Sequence, residues 1–103
     1  MKIFIRLVLP LLMLMGAASA HAALNVMACE PEWADLATRL GGDRVSVTSA
    51  TSGAQDPHHI EARPSLIART RNADLLVCTG LDLEAGWLPL LVQQSGNAKI
   101  ARG

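Results

Sequence analysis

Short apolar segments alternate with helical segments along most of this 103-residue chain. Three segments rich in apolar and β-branched residues predict strands, and they span residues 24–29, 45–48 and 73–80. A helical pattern follows each of them, beginning at Pro31, at Pro64 or Ser65, and at Pro89. This alternation predicts an α/β fold, with a parallel sheet whose strands are joined by right-handed βαβ crossovers.

The burial of these elements can also be predicted from their patterns. Apolar residues of the first helix recur at spacings of three and four and predict one buried face, formed by Trp33, Leu36, Ala37 and Leu40. In the second helix we expect Leu66, Ile67 and Thr70 to point inward. The third strand is apolar enough to be buried on both faces. Residues 97–101 are expected to begin another strand.

The first 22 residues have the pattern of a signal peptide. Lys2 and Arg6 precede an apolar segment at residues 7–17, and small residues then fit the cleavage rule at two overlapping places. Cleavage after either Ala20 or Ala22 fits this rule. A transmembrane anchor is the alternative, but the apolar segment is shorter than the roughly 20 residues that a membrane span requires. We therefore expect an exported protein in the periplasm, without membrane insertion.

The charge balance argues against two classes of partner. Loss of Lys2 and Arg6 with the leader leaves seven basic residues against nine acidic ones. A slightly acidic chain has no electrostatic reason to bind nucleic acid or an anionic membrane. Among Phe, Trp and Tyr, only Trp33 and Trp87 follow the leader, so a platform for stacking on nucleic-acid bases is also missing.

The residues best suited to binding chemistry follow the second strand, in the segment Gln55-Asp56-Pro57-His58-His59-Ile60-Glu61. Pro57 and Pro64 restrict the backbone, so we expect a braced, extended loop that holds the imidazoles in place. In parallel sheets, ligands bind outside the carboxyl ends of the strands, where this loop begins. A neutral imidazole binds a transition metal while an acceptor holds its other nitrogen. Asp56 and Glu61 are the local candidates for that acceptor.

Three motifs of the chain are shared with a known family. They are Asp-Pro-His-His-Ile-Glu at residues 56–61, Arg-Pro-Ser at 63–65, and Asn-Ala-Asp-Leu-Leu-Val-Cys-Thr-Gly-Leu-Asp-Leu-Glu at 72–84. From about Leu24 to its end, the chain resembles the zinc/manganese solute-binding proteins of bacterial metal ABC importers. The family motif reads Asp-Pro-His-x-Tyr/Ile-Glu, and its first histidine, a metal ligand, corresponds to His58. His59 is expected to point away from His58 and to face solvent.

The resemblance implies periplasmic capture of a divalent transition metal for delivery to an inner-membrane ABC permease, by a monomer. Residues 23–103 would then be an incomplete amino-terminal lobe of a two-lobed protein, with the remaining metal ligands beyond Gly103. Borderline imidazole ligands favour Zn²⁺, whereas carboxylate ligands would favour Mn²⁺. The choice between the two metals stays open here.

Cys29 and Cys78 allow three interpretations. Both lie in apolar segments, which favours reduced side chains that pack as small hydrophobic groups. A disulfide is the second interpretation, because export leads to an oxidising compartment and both residues would lie at one edge of neighbouring strands. A zinc site shared with His58 is the third and the least favoured, since the family takes its other ligands from later in the chain.

Two other functions are weighed against metal capture. A periplasmic zinc-dependent hydrolase could hold its metal with His58, His59 and Asp56, although adjacent histidines do not match the helical spacing of metalloproteases. A receptor for a metal chelate is the other, although aromatic and basic groups would be expected there. No nucleophile motif or Gly-rich phosphate loop is present in the sequence. We therefore expect a binding protein and not an enzyme.

Overall fold

The computed structural model describes residues 22–101, so nearly all of the predicted signal peptide lies outside the described residues. The described part alternates three strands with three α-helices: β1 Leu24–Ala28, α1 Pro31–Gly41, β2 Val45–Ser49, α2 Pro64–Arg71, β3 Leu75–Val77 and α3 Leu88–Ser95. Each helix has a proline in its first turn, where the missing N–H costs no hydrogen bond. The predicted α/β fold is confirmed.

The strands form one parallel sheet in the order β2-β1-β3. The central strand, β1, pairs on both sides, and its last residue, Ala28, lies opposite Ser49 of β2 and Val77 of β3. The carboxyl ends of all three strands therefore meet at one edge of the sheet. The loop with the two histidines begins at this edge, after β2.

The hydrophobic core lies on the face of the sheet that α2 and α3 cover. It consists of nine buried side chains from β1, the loops and both helices: Met27, Cys29, Ala50, Ile60, Leu66, Ala73, Trp87, Leu91 and Ile100. Leu66 and Thr70 of α2 are buried and Ile67 packs against the core, as predicted. Because Ile60 belongs to the core, the histidine loop is attached to it directly.

The opposite face of the sheet carries α1 and is less completely covered. No residue of α1 is buried, and Leu36 and Leu40 are 45% and 80% exposed. Leu75 of β3 is also 46% exposed. The predicted burial of the α1 face and of both faces of β3 is therefore wrong. The reason is geometric, since α1 packs against β1 and β2 and leaves the β3 side of this face open.

Residues 97–101 turn instead of forming the predicted strand. The side-chain amide of buried Asn97 donates hydrogen bonds to the carbonyls of Thr70 and Ala73, at 2.9 and 2.7 Å. The Asn97 side-chain oxygen accepts a hydrogen bond from the backbone N–H of Lys99 at 3.0 Å. These bonds fix the segment against the end of α2, and for this reason it does not extend into a strand.

The third helix begins at Leu88, one residue before the predicted start, and ends at Ser95, with Gly96 as its C-cap. Gly96 has a φ of 64°, a left-handed conformation that favours glycine and commonly closes a helix. Within residues 22–101, no helix has the length and apolar character needed to cross a membrane.

Candidate metal centre

The two histidines lie in a tight turn at residues 56–59, where the extended loop was predicted. The backbone N–H of His59 donates a hydrogen bond to the carbonyl of Asp56 at 3.1 Å, which closes a β-turn with Pro57 in its second position. The backbone N–H of His58 donates to Asp56 Oδ1 at 3.0 Å. Aspartate before proline favours such a turn, because its carboxylate accepts from the backbone two residues on.

Asp56 also joins the two imidazole rings. His58 Nδ1 lies 2.9 Å from Asp56 Oδ1, and His59 Nδ1 lies 3.0 Å from Asp56 Oδ2. The hydrogen bond from His59, followed by those from the backbone and ring of His58, holds the pKa of the Asp56 carboxyl well below its usual range. Because Asp56 engages Nδ1 of each ring, Nε2 is the nitrogen left for a metal.

The predicted orientation of His59 is wrong, whereas its predicted exposure is confirmed. Both rings turn towards one carboxylate, with centroids 6.4 Å apart. The His59 side chain is 85% exposed, against 62% for His58. Neighbouring side chains point apart on extended backbone, but a turn brings them to the same side.

Gly86 and Trp87, the two residues just before α3, contact this turn. The indole N–H of Trp87 donates a hydrogen bond to the carbonyl of Pro57 at 2.7 Å. Gly86 lies so close that a Cβ atom there would be 3.0 Å from the His58 carbonyl oxygen. Sequence reasoning missed both residues. The available signal was the tryptophan itself, since a buried indole N–H requires an acceptor.

Glu61, the other acceptor predicted for His58, makes no hydrogen bond to its ring. Glu61 is exposed. Its backbone carbonyl accepts a hydrogen bond from the Arg63 N–H at 2.9 Å, whereas its carboxylate does not take part.

Within residues 22–101, the His, Cys, Asp and Glu side chains that bring three ligand atoms within 4.8 Å of one another are Cys29, Cys78 and Glu84. His58, His59 and Asp56 thus lack the convergence that a three-ligand catalytic zinc site requires.

Cys29 and Cys78 form a disulfide bond. Cys29 follows β1 and Cys78 follows β3, and the two Cα atoms are 4.8 Å apart. The pairing of Ala28 with Val77 brings the next residue of each strand together. The favoured expectation of two reduced side chains is therefore wrong. In this state neither sulfur is a thiolate, so the expected alternative of a thiolate zinc site with His58 is also excluded for the oxidised protein.

Two buried carboxyl groups, Glu30 and Glu84, lie beside the disulfide and were not singled out from the sequence. Glu84 accepts hydrogen bonds from the backbone N–H groups of Thr79 and Gly80, at 2.8 and 3.0 Å. Glu30 Oε2 accepts one from the Thr79 hydroxyl at 3.2 Å, and that hydroxyl accepts one from the Trp33 indole at 2.8 Å. Glu30 Oε1 is buried and has no partner among the described residues.

The pKa values of the two carboxyls are shifted in opposite directions. Burial, followed by the adjacent Glu84 carboxyl, raises the pKa of Glu30 to about 7. Burial also opposes ionisation of Glu84, but hydrogen bonds from Glu30 and from the backbone outweigh it and lower the pKa of Glu84. Between these two pKa values, a protonated Glu30 can donate to an ionised Glu84. This arrangement gives the unpartnered oxygen of Glu30 an acceptor.

Comparison with known proteins identifies the family. The family described as "Zinc-uptake complex component A periplasmic" matches residues 26–102. The manganese ABC transporter substrate-binding lipoprotein scaA of Streptococcus gordonii is 34% identical over 80 residues, which cover 75% of this chain and 26% of that protein. The iron ABC transporter substrate-binding lipoprotein MtsA of Streptococcus pyogenes serotype M1 is 33% identical over 79 residues, which cover 74% of this chain and 26% of that protein. The chain thus spans about a quarter of the length of these relatives.

Solved structures agree with this assignment. A zinc-bound deletion mutant of ZnuA superposes with a TM-score of 0.69 and 30% identity, over 77% of this chain and 30% of that one. A manganese-bound periplasmic metal-binding protein from Candidatus Liberibacter asiaticus has the same fold, with a TM-score of 0.64 and 24% identity over 76% of this chain and 28% of that one. The match to the family over residues 26–102 shows that this chain belongs to the family of periplasmic component A of the zinc-uptake complex.

Proposed function

We propose that this chain supplies part of the metal site of an exported protein that captures a divalent transition metal for an inner-membrane ABC permease. The family assignment supports this proposal, as do the relatives named as substrate-binding lipoproteins of manganese and iron ABC transporters. The predicted leader supports export to the periplasm. Residues 23–103 would belong to the amino-terminal lobe, with further metal ligands in the sequence after Gly103.

His58 is the metal ligand that we propose, through its Nε2. The observation that carries the proposal is the 2.9 Å contact between His58 Nδ1 and Asp56 Oδ1, in a turn that the core holds at the carboxyl edge of the sheet. A carboxylate on Nδ1 fixes the ring orientation and makes Nε2 a better electron donor to a metal. Asp56 would therefore orient the ligand and stay off the metal itself.

Zinc is the metal that we propose, with manganese as the alternative. Imidazole is a borderline ligand that suits zinc, and additional carboxylate ligands would move the preference towards manganese. The family description names zinc, and one of the related structures contains manganese. A single imidazole from this part of the protein is compatible with either ion.

We further propose that the protein binds its metal without turnover. The relatives are named as transport proteins, and the His58, His59 and Asp56 side chains are arranged around a shared hydrogen-bonded carboxylate. A catalytic zinc would need several converging ligands and an open position for water. Zinc that binds reversibly, with no hydrolytic product in a screen of ester, amide and phosphoester substrates, would agree with a carrier.

The test is calorimetric titration of Zn²⁺ and Mn²⁺ into the complete mature protein and two variants. His58→Ala should weaken binding by at least about tenfold, or about 1.4 kcal/mol, because an inner-sphere ligand is lost. His59→Ala is the matched control and should change affinity much less, since it removes an exposed ring from the same carboxylate. Equal affinities for wild type and His58→Ala would remove His58 from the site.

A further inference from the structure

The disulfide lies in a cluster of groups that the proposed metal capture does not use. Sγ of Cys29, Sγ of Cys78 and a carboxylate oxygen of Glu84 lie within 4.8 Å of one another. Cys29 is fully buried, Glu84 is 3% exposed, and Cys78 is partly buried. The cluster lies at the carboxyl ends of β1 and β3, the edge at which parallel sheets bind ligands.

The neighbouring Glu30 is an independent sign that this cluster can hold a cation. Glu30 follows Cys29 in the chain, and its carboxyl lies against that of Glu84. When Glu30 is ionised, its buried Oε1 has no hydrogen-bond donor among the described residues. Apart from a protonated Glu30 itself, the donors to the two carboxyls within residues 22–101 are the neutral groups of Thr79 and Gly80. No basic side chain therefore balances the negative charge of this cluster within the described part.

We propose that reduction of the disulfide opens a second metal site, in which Cys29, Cys78, Glu84 and Glu30 bind a thiophilic divalent cation. Zn²⁺ and Cd²⁺ are the ions that suit two sulfur and two oxygen ligands in a tetrahedral arrangement. His58 offers no ligand atom to this group, so the site does not depend on the proposed role of that residue. The oxidised protein lacks it, since a disulfide sulfur is not a thiolate.

The site forms in two steps, which are reduction of the disulfide and binding of the cation. An external dithiol supplies two electrons and two protons to the Cys29–Cys78 bond, which becomes two thiols while the dithiol closes to its own disulfide. The divalent cation then binds both sulfurs as thiolates and releases the two thiol protons to solvent, together with the Glu30 proton where that carboxyl is protonated. Two thiolates neutralise the two charges of the ion, and the carboxyls complete its coordination.

The sheet keeps the ligands together after reduction. Cys29 N–H donates a hydrogen bond to the carbonyl of Val77 at 2.8 Å, and Ala28 pairs with Val77 just before the two cysteines. The Cα atoms 4.8 Å apart are therefore held by backbone pairing as well as by the disulfide. The backbone N–H groups of Thr79 and Gly80 hold the Glu84 carboxylate beside them. Reduction thus breaks the disulfide bond, while the strand pairing and the backbone hydrogen bonds to Glu84 still position the ligands.

The test uses Cd²⁺ and the complete mature protein carrying His58→Ala, which weakens the proposed first site, and the oxidised form of the same variant measures the binding that remains there. The protein is reduced with a phosphine, freed of reductant without air, and compared with its oxidised form. We expect the reduced protein to bind one Cd²⁺ more than the oxidised form, with a thiolate-to-cadmium charge-transfer absorption and an affinity at least tenfold above any binding by the oxidised form. Glu84→Gln should weaken binding several-fold, whereas the exposed Glu32→Gln should leave it unchanged.

A second measurement needs no variant. In reduced wild type, bound Cd²⁺ should slow alkylation of Cys78 at least tenfold, and this protection should disappear in urea. Equal cadmium binding by the oxidised and reduced forms would overturn the proposal. So would reduced protein with no charge-transfer absorption, equal protection in urea, or loss of the folded state on reduction as seen by circular dichroism.

Discussion

Trp87 donates its indole N–H to the backbone carbonyl of Pro57 at 2.7 Å, although 30 residues separate them along the chain. Trp87 is 3% exposed and belongs to the hydrophobic core. Close-packed cores permit little displacement of their side chains. The turn that carries His58 is therefore positioned by the core.

Trp87→Phe should loosen the turn while retaining most of the aromatic packing. We expect stability to fall by about 1 kcal/mol for the lost hydrogen bond. Metal affinity should fall by up to about fivefold, which corresponds to the same free energy. Urea unfolding and calorimetry measure the two effects. Trp33→Phe is the matched control, because it removes an indole hydrogen bond to Thr79 Oγ1 away from the turn. The two variants binding metal equally would contradict the prediction.

Gly86→Ala should displace the His58 turn by steric contact. The new Cβ atom would lie 3.0 Å from the His58 carbonyl oxygen, closer than ordinary van der Waals contact. We expect metal affinity to fall about threefold to tenfold, or roughly 1 kcal/mol. Gly53→Ala serves as control, because a Cβ atom at Gly53 meets nothing within 4 Å. Calorimetry on both variants decides the matter, and unchanged affinity in Gly86→Ala would show that the turn can move freely.

Asp56→Asn should weaken metal binding although Asp56 does not touch the metal in the proposed site. The amide has one acceptor oxygen where the carboxylate has two, so it cannot hold both imidazoles at Nδ1. Loss of such an outer partner of a metal-bound histidine typically costs about tenfold to a hundredfold in affinity. Asp43→Asn, an exposed change in the 3-10 turn before β2, is the control. Similar zinc affinities for the two variants would exclude Asp56 as the orienting group.

Glu30 should make the protein less stable as pH rises from about 4.5 to about 7. The pKa of Glu30 is about 7 in the folded state, against 4.5 for the ordinary group. In this window the unfolded chain has lost a proton that the folded protein retains, so the free energy of unfolding falls with rising pH. The loss is complete about one pH unit above the folded-state pKa of Glu30, where that carboxyl is ionised in both states.

Two glutamine variants test this dependence of stability on pH. Glu30→Gln cannot ionise, so its stability should fall less than that of wild type between pH 5 and pH 7.5 in urea unfolding. Glu32→Gln, an exposed change on α1, should follow wild type. Identical pH dependence in wild type and Glu30→Gln would mean that Glu30 does not retain its proton in the folded state.

The sequence by itself determined the elements and the local chemistry of the turn. Pro31 and Pro64 mark helix starts that the structure reproduces, because a proline in the first helical turn loses no hydrogen bond. The α/β alternation follows from apolar periodicity, which is a local property. Asp56 and Glu61 were the two local candidates for an acceptor to His58, and the structure contains the contact with Asp56.

Only the tertiary structure decided which distant residues meet. The disulfide and the Glu30–Glu84 pair depend on how β1 pairs with β3, and Trp87 reaches Pro57 only after α3 packs on the core. The exposure of Leu36 and Leu40 likewise depends on which strands lie beneath α1. A sequence pattern indicates which face of an element is apolar, but strand register and packing determine what that face contacts. For this reason the contact between Asp56 and His58 could be predicted from neighbouring residues, whereas the hydrogen bond from Trp87 and the cluster at the ends of β1 and β3 could not.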